Sequence, residues 1–245
     1  MNTITVNTST LKEIVTQDFQ TAAVFEKFSL DFCCRGGKTI EQACREKGIS
    51  PETVMQELSL LRQEQTSGEG RFSEMETEDL IGYITRHHHS YVRTMIPILY
   101  THTQKVASVH GANHPEVIEI ARHFETVAAE LQQHMAKEEQ MLFPFILKLS
   151  EAKQQGRTLD RAPFGSVQNP IRMMESEHQN AGDELYEIRS LSGGYAPPED
   201  ACTTFRVTYQ ELQSFEKDLH QHVHLENNIL FPRAVALERE LISSF

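Results

Sequence analysis

Tryptophan is absent from this 245-residue chain, and cysteine occurs only four times. Cys33 and Cys34 are adjacent, while Cys44 and Cys202 stand alone. No CxxC pair offers a zinc ribbon, and no evenly spaced set offers a disulfide framework. Basic residues are in deficit: 23 Lys and Arg against 35 Asp and Glu leave a net charge of −12. A surface of that sign does not neutralise phosphates, which argues against nucleic acid and anionic membranes as partners. No apolar run approaches the length of a membrane span. The N-terminus, MNTITVNTSTLKEIVTQDF, lacks the basic start and apolar core of a secretory signal. A cytoplasmic protein is the expectation.

What the chain has in quantity is histidine, twelve in all, carried on helical patterns. Apolar residues recur at helical spacing from Thr10 onward (Leu11, Ile14, Val15, Phe25) until Cys33-Cys34-Arg35-Gly36-Gly37 interrupts them. A new helix is expected near Thr39, ending at Gly48, and Ser50-Pro51-Glu52 opens another. Residues 64–73 are polar, bear glycine and have no period, as a linker does. The pattern implies two domains: residues 1–65, small and helical, and residues 75–245, four long helices at 75–108, 115–153, 168–192 and 199–242. Prolines at 97, 144 and 232 should bend their helices or free a carbonyl four residues earlier. No alternating strand pattern appears, so the fold class is all-α, with a four-helix bundle as the larger part.

Two segments of the bundle repeat. Leu131-Gln132-Gln133-His134 continues to Glu138 and Leu142-Phe143-Pro144; Leu219-His220-Gln221-His222 continues to Glu226 and Leu230-Phe231-Pro232. Their shared pattern, L-x-Q-H-x-x-x-E-x-x-x-L-F-P, recurs at an offset of 88 residues. Histidine and glutamate four apart lie on one helix face and can reach one point. A further histidine precedes each copy: His89 by 45 residues and His178 by 44. In the first half the chain runs 19 residues out from His89 to Ser108 and 19 back from Pro115 to His134, at about 1.5 Å each. The second half is uneven, about 14 out and 23 back, so its connection must be more than a tight turn.

Convergence of the four helices would bury four imidazoles and two carboxylates. Two acids in an apolar core are prohibitively costly unless cations neutralise them. The set suits two metal ions, each with two histidines, with both glutamates bridging. Nitrogen-plus-carboxylate ligation favours iron over a closed structural zinc, with manganese or zinc as alternatives. The bland alternative is a bundle whose histidines are satisfied by hydrogen bonds. His87 and His88 flank His89, but residues one and two apart on a helix point in different directions. His102, His110, His114, His123, His220 and His224 lack partners at useful spacing and are mostly expected at the surface. Glu177 and Glu130 are candidates either to support the ligand histidines or to face solvent.

These residues resemble a known family. The repeated H-x-x-x-E-x-x-x-L-F-P resembles the hemerythrin-like domain. Asp31-Phe32-Cys33-Cys34-Arg35-Gly36-Gly37 ahead of it, with Glu175-Ser176-Glu177-His178, resembles the ScdA/YtfE-type iron–sulfur cluster repair di-iron proteins, the RIC family. The resemblance runs from about Ile14 to Leu241. It implies a non-haem centre of two iron ions held by His89, His134, Glu138, His178, His222 and Glu226. His89 is chosen from three consecutive histidines because it stands eight before Pro97, as the family's ligand does. The function implied is restoration of iron–sulfur clusters damaged by nitric oxide or oxidative stress, by donation of iron, with damaged iron–sulfur proteins as partners. The alternatives are an enzyme reducing nitric oxide or peroxide at the same centre, and a binding protein sensing oxygen or nitric oxide. Cys33 and Cys34 are the candidate reactive pair: the helix near Thr39 and Arg35 would favour a thiolate there, and packing at a turn is the alternative. A homodimer is compatible with the sequence.

Overall fold

The computed structural model describes residues 6, 8–17, 21–32, 36–64, 72–159, 162 and 164–241. Cys33, Cys34 and Arg35, and residues 65–71 of the expected linker, lie outside the described residues. The protein is all-α; two isolated bridges, Thr10 with Thr39 and Ala162 with Gly165, are the β-type pairings among the described residues. The chain divides into two compact units: 1–76 with 223–233, and 77–222 with 234–245.

The first unit contains α1 (Leu11–Gln17), α2 (Thr21–Lys27), α3 (Ile40–Lys47) and α4 (Pro51–Glu64). Local chemistry sets their ends. The Thr10 hydroxyl accepts from the Glu13 amide and the Glu13 carboxylate accepts from the Thr10 amide, a reciprocal box that starts α1. Thr39 and Gln42 do the same for α3, which stops at Gly48 in the left-handed conformation, φ 66°. Leu11, Ile14, Val15, Phe25, Ile40, Val54 and Leu58 are buried. Gly36 is a position where a side chain cannot fit: a Cβ would lie 2.0 Å from the Phe32 carbonyl oxygen. Its own carbonyl accepts from the Lys12 amide at 2.8 Å, which ties the loop to α1.

Four long helices follow, spanning 77–110, 116–154, 168–191 and 203–241; they make up the second unit except for residues 223–233 of the fourth, which count with the first. Three of them contain a π-helical turn: Ile84–His89 in the first, Glu138–Leu142 in the second and Glu226–Leu230 in the fourth. An extra residue in one turn rotates the remainder of the helix about its axis, and such turns concentrate at functional sites. The second and third π turns explain the fate of two prolines. Pro144 and Pro232 fall just past them, each at the second residue of the resumed α-helix, where a missing N–H costs little. Pro97 alone stands well inside an α-helix, Ser90–His110.

The uneven second half is accommodated at its connection. The third helix ends at Leu191 and the fourth starts at Thr203, leaving 13 residues out from His178 and 19 back to His222. Gly193, Gly194 and Tyr195 adopt positive φ in succession, 60°, 77° and 64°. Tyr195 is held in that conformation by its hydroxyl, which donates to buried Glu216 at 2.8 Å, and by the Ser192 hydroxyl, which accepts from its amide. Arg189 Nε donates to both Glu216 oxygens at 3.1 and 3.0 Å, so the carboxylate is fully engaged.

Candidate metal centre

The two H-x-x-x-E segments supply their side chains through the π turns. His134 precedes the π turn that Glu138 opens, His222 precedes the one that Glu226 opens, and His89 closes the π turn of the first helix. All three turns therefore carry a donor at one boundary. His178 comes from the third helix, which is regular throughout.

Six donors form two overlapping groups. His89, Glu138, His222 and Glu226 offer ligand atoms within 4.8 Å of one another, and so do His134, Glu138, His178 and Glu226. Both carboxylates belong to both groups; each imidazole belongs to one. The two groups divide the four imidazoles differently from the repeat. His89 pairs with His222 across the halves, while His134 of the first half pairs with His178 of the second. Nε2 of His89 lies 3.1 Å from Nε2 of His222, and Nε2 of His178 lies 2.9 Å from Nε2 of His134. Oε2 of Glu138 stands 3.4 Å from His89 Nε2 and 3.3 Å from His134 Nε2, between the two groups. A first-row divalent metal with bonds of about 2.1 Å holds neighbouring donors about 3 Å apart. The observed separations are of that size. Glu138 and Glu226 are both wholly buried, which for two carboxylates requires positive charge close by. Donor chemistry, spacing and burial all fit a metal pair.

The imidazoles are oriented from behind. His89 Nδ1 lies 2.6 Å from Glu139 Oε1, and His134 Nδ1 lies 3.0 Å from Glu177 Oε2. A carboxylate on Nδ1 fixes the tautomer and leaves Nε2 for a metal. The hydrogen bond to His134 is the main reason the Glu177 carboxyl is held down to about 2, against the opposing effect of burial; Lys137, which donates to its other oxygen, adds to it. Burial works to raise the Glu139 carboxyl, but hydrogen bonds from His89 and Arg93 outweigh it and leave it below the ordinary range.

Of the three consecutive histidines, His89 alone reaches the donor groups. His87 is exposed against Tyr83. His88 is buried: its ring stacks on His222 at 5.5 Å with an interplanar angle of 5°, and its Nδ1 lies 3.0 Å from Asp218. His224 departs from the expected surface position. It is 1% exposed, with Nδ1 accepting from the Asn228 amide nitrogen at 2.7 Å and its ring edge-on to Phe32 at 6.0 Å. Burial, assisted by Lys12, lowers it to about 4, so it is a neutral imidazole. His102 and His123 find carboxylates on other helices, Glu211 at 2.6 Å and Glu184 at 2.7 Å. Glu130 is exposed, whereas Glu177 supports His134. Spacing along one helix could not reveal Glu139 or Asp218 as partners, because each acts across a helix–helix contact; Glu177, a candidate from its place beside His178, serves His134 instead. No described helix is long and apolar enough to cross a membrane.

Known proteins share both parts of the chain. The profile of the "Hemerythrin HHE cation binding domain" matches residues 80–234, and that of the ScdA N-terminal "Domain of Unknown function (DUF542)" matches residues 7–62. The chain is 33% identical over 225 residues to the iron-sulfur cluster repair protein ScdA of Staphylococcus haemolyticus, covering 92% of this chain and 97% of that one. It is 34% identical over 213 residues to a probable iron-sulfur cluster repair protein of Haemophilus influenzae, covering 86% and 90% respectively. It is also 34% identical over 216 residues to the iron-sulfur cluster repair protein YtfE of Yersinia pseudotuberculosis, covering 88% and 91%.

Proposed function

Since the chain belongs to the ScdA/YtfE family of iron-sulfur cluster repair proteins, we propose that it repairs damaged iron–sulfur clusters by holding two iron ions in its bundle and releasing iron to the damaged protein. The observation that carries this reading is the pair of wholly buried glutamates shared by two histidine pairs. His89 and His222 would hold one ion, His134 and His178 the other, and Glu138 and Glu226, which belong to both donor groups, would be shared between them. When bound, the ions supply redox-active iron with mixed nitrogen and carboxylate ligation. The protein's own part is to keep the imidazoles aimed through Glu139 and Glu177, and to exclude cations that prefer thiolate or all-oxygen cages.

Damage by nitric oxide or oxidants is the stress this repair answers, in keeping with a cytoplasmic protein whose partners are damaged iron–sulfur proteins. Cys33 and Cys34 act as the thiol pair that receives iron or engages the target. The test is anaerobic incubation of the iron-loaded protein with an apo iron–sulfur enzyme, following iron loss from the donor and recovered activity in the acceptor. Recovery in step with iron loss, abolished in a Cys33→Ala/Cys34→Ala variant that keeps its iron, is the expected result. Turnover of nitric oxide with an external reductant, unaffected by the cysteine change and with no acceptor recovery, would replace the donor reading with an enzyme.

A further inference from the structure

A second cluster of chemistry-bearing side chains lies away from the metal donors, where the first bundle helix ends and the fourth begins. The exposed thiol of Cys202 lies 3.2 Å from His110 Nε2, within hydrogen-bond reach. The base is held in place: the His110 ring packs on the fully buried ring of Phe205 at 5.2 Å. So is the nucleophile. The Cys202 carbonyl accepts from the Arg206 amide at 3.1 Å, which makes Cys202 the residue that opens the 23-residue helix Thr203–Leu225. The Arg206 side chain in turn donates to the carbonyls of Ala201 at 3.1 Å and Glu199 at 2.9 Å, pinning the approach. A thiol within reach of an imidazole that is itself oriented is the arrangement of an activated nucleophile.

We propose that Cys202 and His110 form a peroxide-reactive site, at which hydrogen peroxide oxidises the Cys202 thiol to a sulfenic acid. His110 Nε2 takes the thiol proton, and sulfur attacks one peroxide oxygen. The S–O bond forms as the O–O bond breaks, so sulfur is oxidised by two electrons and the peroxide is reduced. The departing hydroxide takes the proton back from the His110 imidazolium and leaves as water. One thiol and one peroxide give one sulfenic acid and one water.

The surroundings select the reactant. Asp200 and Glu116 both face His114, at 3.1 and 3.2 Å, so the imidazole turned to the thiol is that of His110. Their charge, with that of exposed Glu199, repels anionic disulfides and favours a small neutral oxidant. Cys44 is the internal contrast. It is buried in the N-terminal unit, and burial, with Glu52, pushes its thiol up. It should be inert.

The test treats the full-length protein with hydrogen peroxide and a 1,3-dicarbonyl trap for sulfenic acids, and follows each cysteine by peptide mass spectrometry. Cys202 should be trapped at least about tenfold faster than Cys44, and His110→Gln should slow it about tenfold. His114→Gln should leave it within about twofold, because His114 does not touch the thiol. An unchanged Cys202 rate in a His110→Gln variant of normal helical circular dichroism overturns the proposal. If that variant misfolds, the comparison passes to wild type against the free peptide 198–208, which contains no imidazole. Equal rates for the two overturn the proposal; a faster rate in the folded protein supports it.

Discussion

The two copies of the H-x-x-x-E-x-x-x-L-F-P segment have one backbone form and two different surroundings. In the second bundle helix the π turn opened by Glu138 leaves Glu139 and Met141 partly exposed and Gln140 exposed. In the fourth helix all five residues of the turn opened by Glu226 are buried, Asn227 and Asn228 among them. The wet copy is supported by charge: Glu139 and Arg93 stand behind His89, Glu177 and Lys137 behind His134. Around the covered copy the Asn228 amide donates to a neutral His224, the Phe32 ring lies against that imidazole, and Asp218 stands behind His88, whose ring stacks on His222. The repeated residues set where the donors stand. The residues that do not repeat set how tolerant each site is of change.

The largest effect should come from the shared carboxylates. Glu226→Gln should reduce iron from two per chain to one or none, as measured by metal analysis. Without metal, the same change removes a buried charge of the covered copy. It should raise the midpoint of thermal unfolding of the apo protein by several degrees, on the order of 2 kcal/mol, in calorimetry. Glu138→Gln should lose iron equally, because both carboxylates belong to both donor groups. Two irons retained in either variant would break the claim that the carboxylates are shared.

Next is the loop that bears Phe32. Gly36→Ala places a methyl group 2.0 Å from the Phe32 carbonyl oxygen, so the backbone must shift, at a cost of roughly 2 kcal/mol or more. Hydrogen exchange should show faster opening of α1 and α3, with the amides of residues 116–137 unchanged. Smaller again is His224→Leu, which strands the buried Asn228 amide and should cost about 1–2 kcal/mol near neutral pH. Its pH dependence has a definite sign. His224 is lowered to about 4 in the folded state from about 6.5 unfolded. Its contribution is therefore present above about 6.5 and lost as pH falls toward 4, and the gap between wild type and variant should close over that window in urea unfolding. The smallest stability effect belongs to the wet copy. Glu139→Gln should leave stability within about 0.5 kcal/mol, while weakening iron retention roughly tenfold against a chelator.

Much of the fold is legible in the sequence because the bundle's pattern is strong. The four helices begin and end within a few residues of where periodicity, glycine and proline put them, and Thr39 and Gly48 announce the two ends of α3. The π turns are not legible as such. Proline six residues after Glu138 and after Glu226 marks only that the regular ladder must be interrupted somewhere; a π turn is one of several ways to do it. The pairing of histidines is equally invisible, since equal spacing within each half says nothing of which imidazole meets which. His224 reads as a surface residue because Asn228, four residues on along the same helix, is no ligand partner, yet its amide donates to His224 once the chain is folded. His88 meets Asp218 only across a helix–helix contact. Residues 199–202 read as helix, but Asp200 and Cys202 belong to the segment before it.

At the centre of this protein stand six side chains proposed to hold two iron ions, with both glutamates as bridges. Protein expressed in iron-replete cells and assayed by metal analysis with Mössbauer spectroscopy tests that arrangement most directly. The expected result is two irons per chain in similar environments, falling to one or none in both Glu138→Gln and Glu226→Gln. One zinc and no iron in the wild type, or two irons retained in both variants, would contradict it.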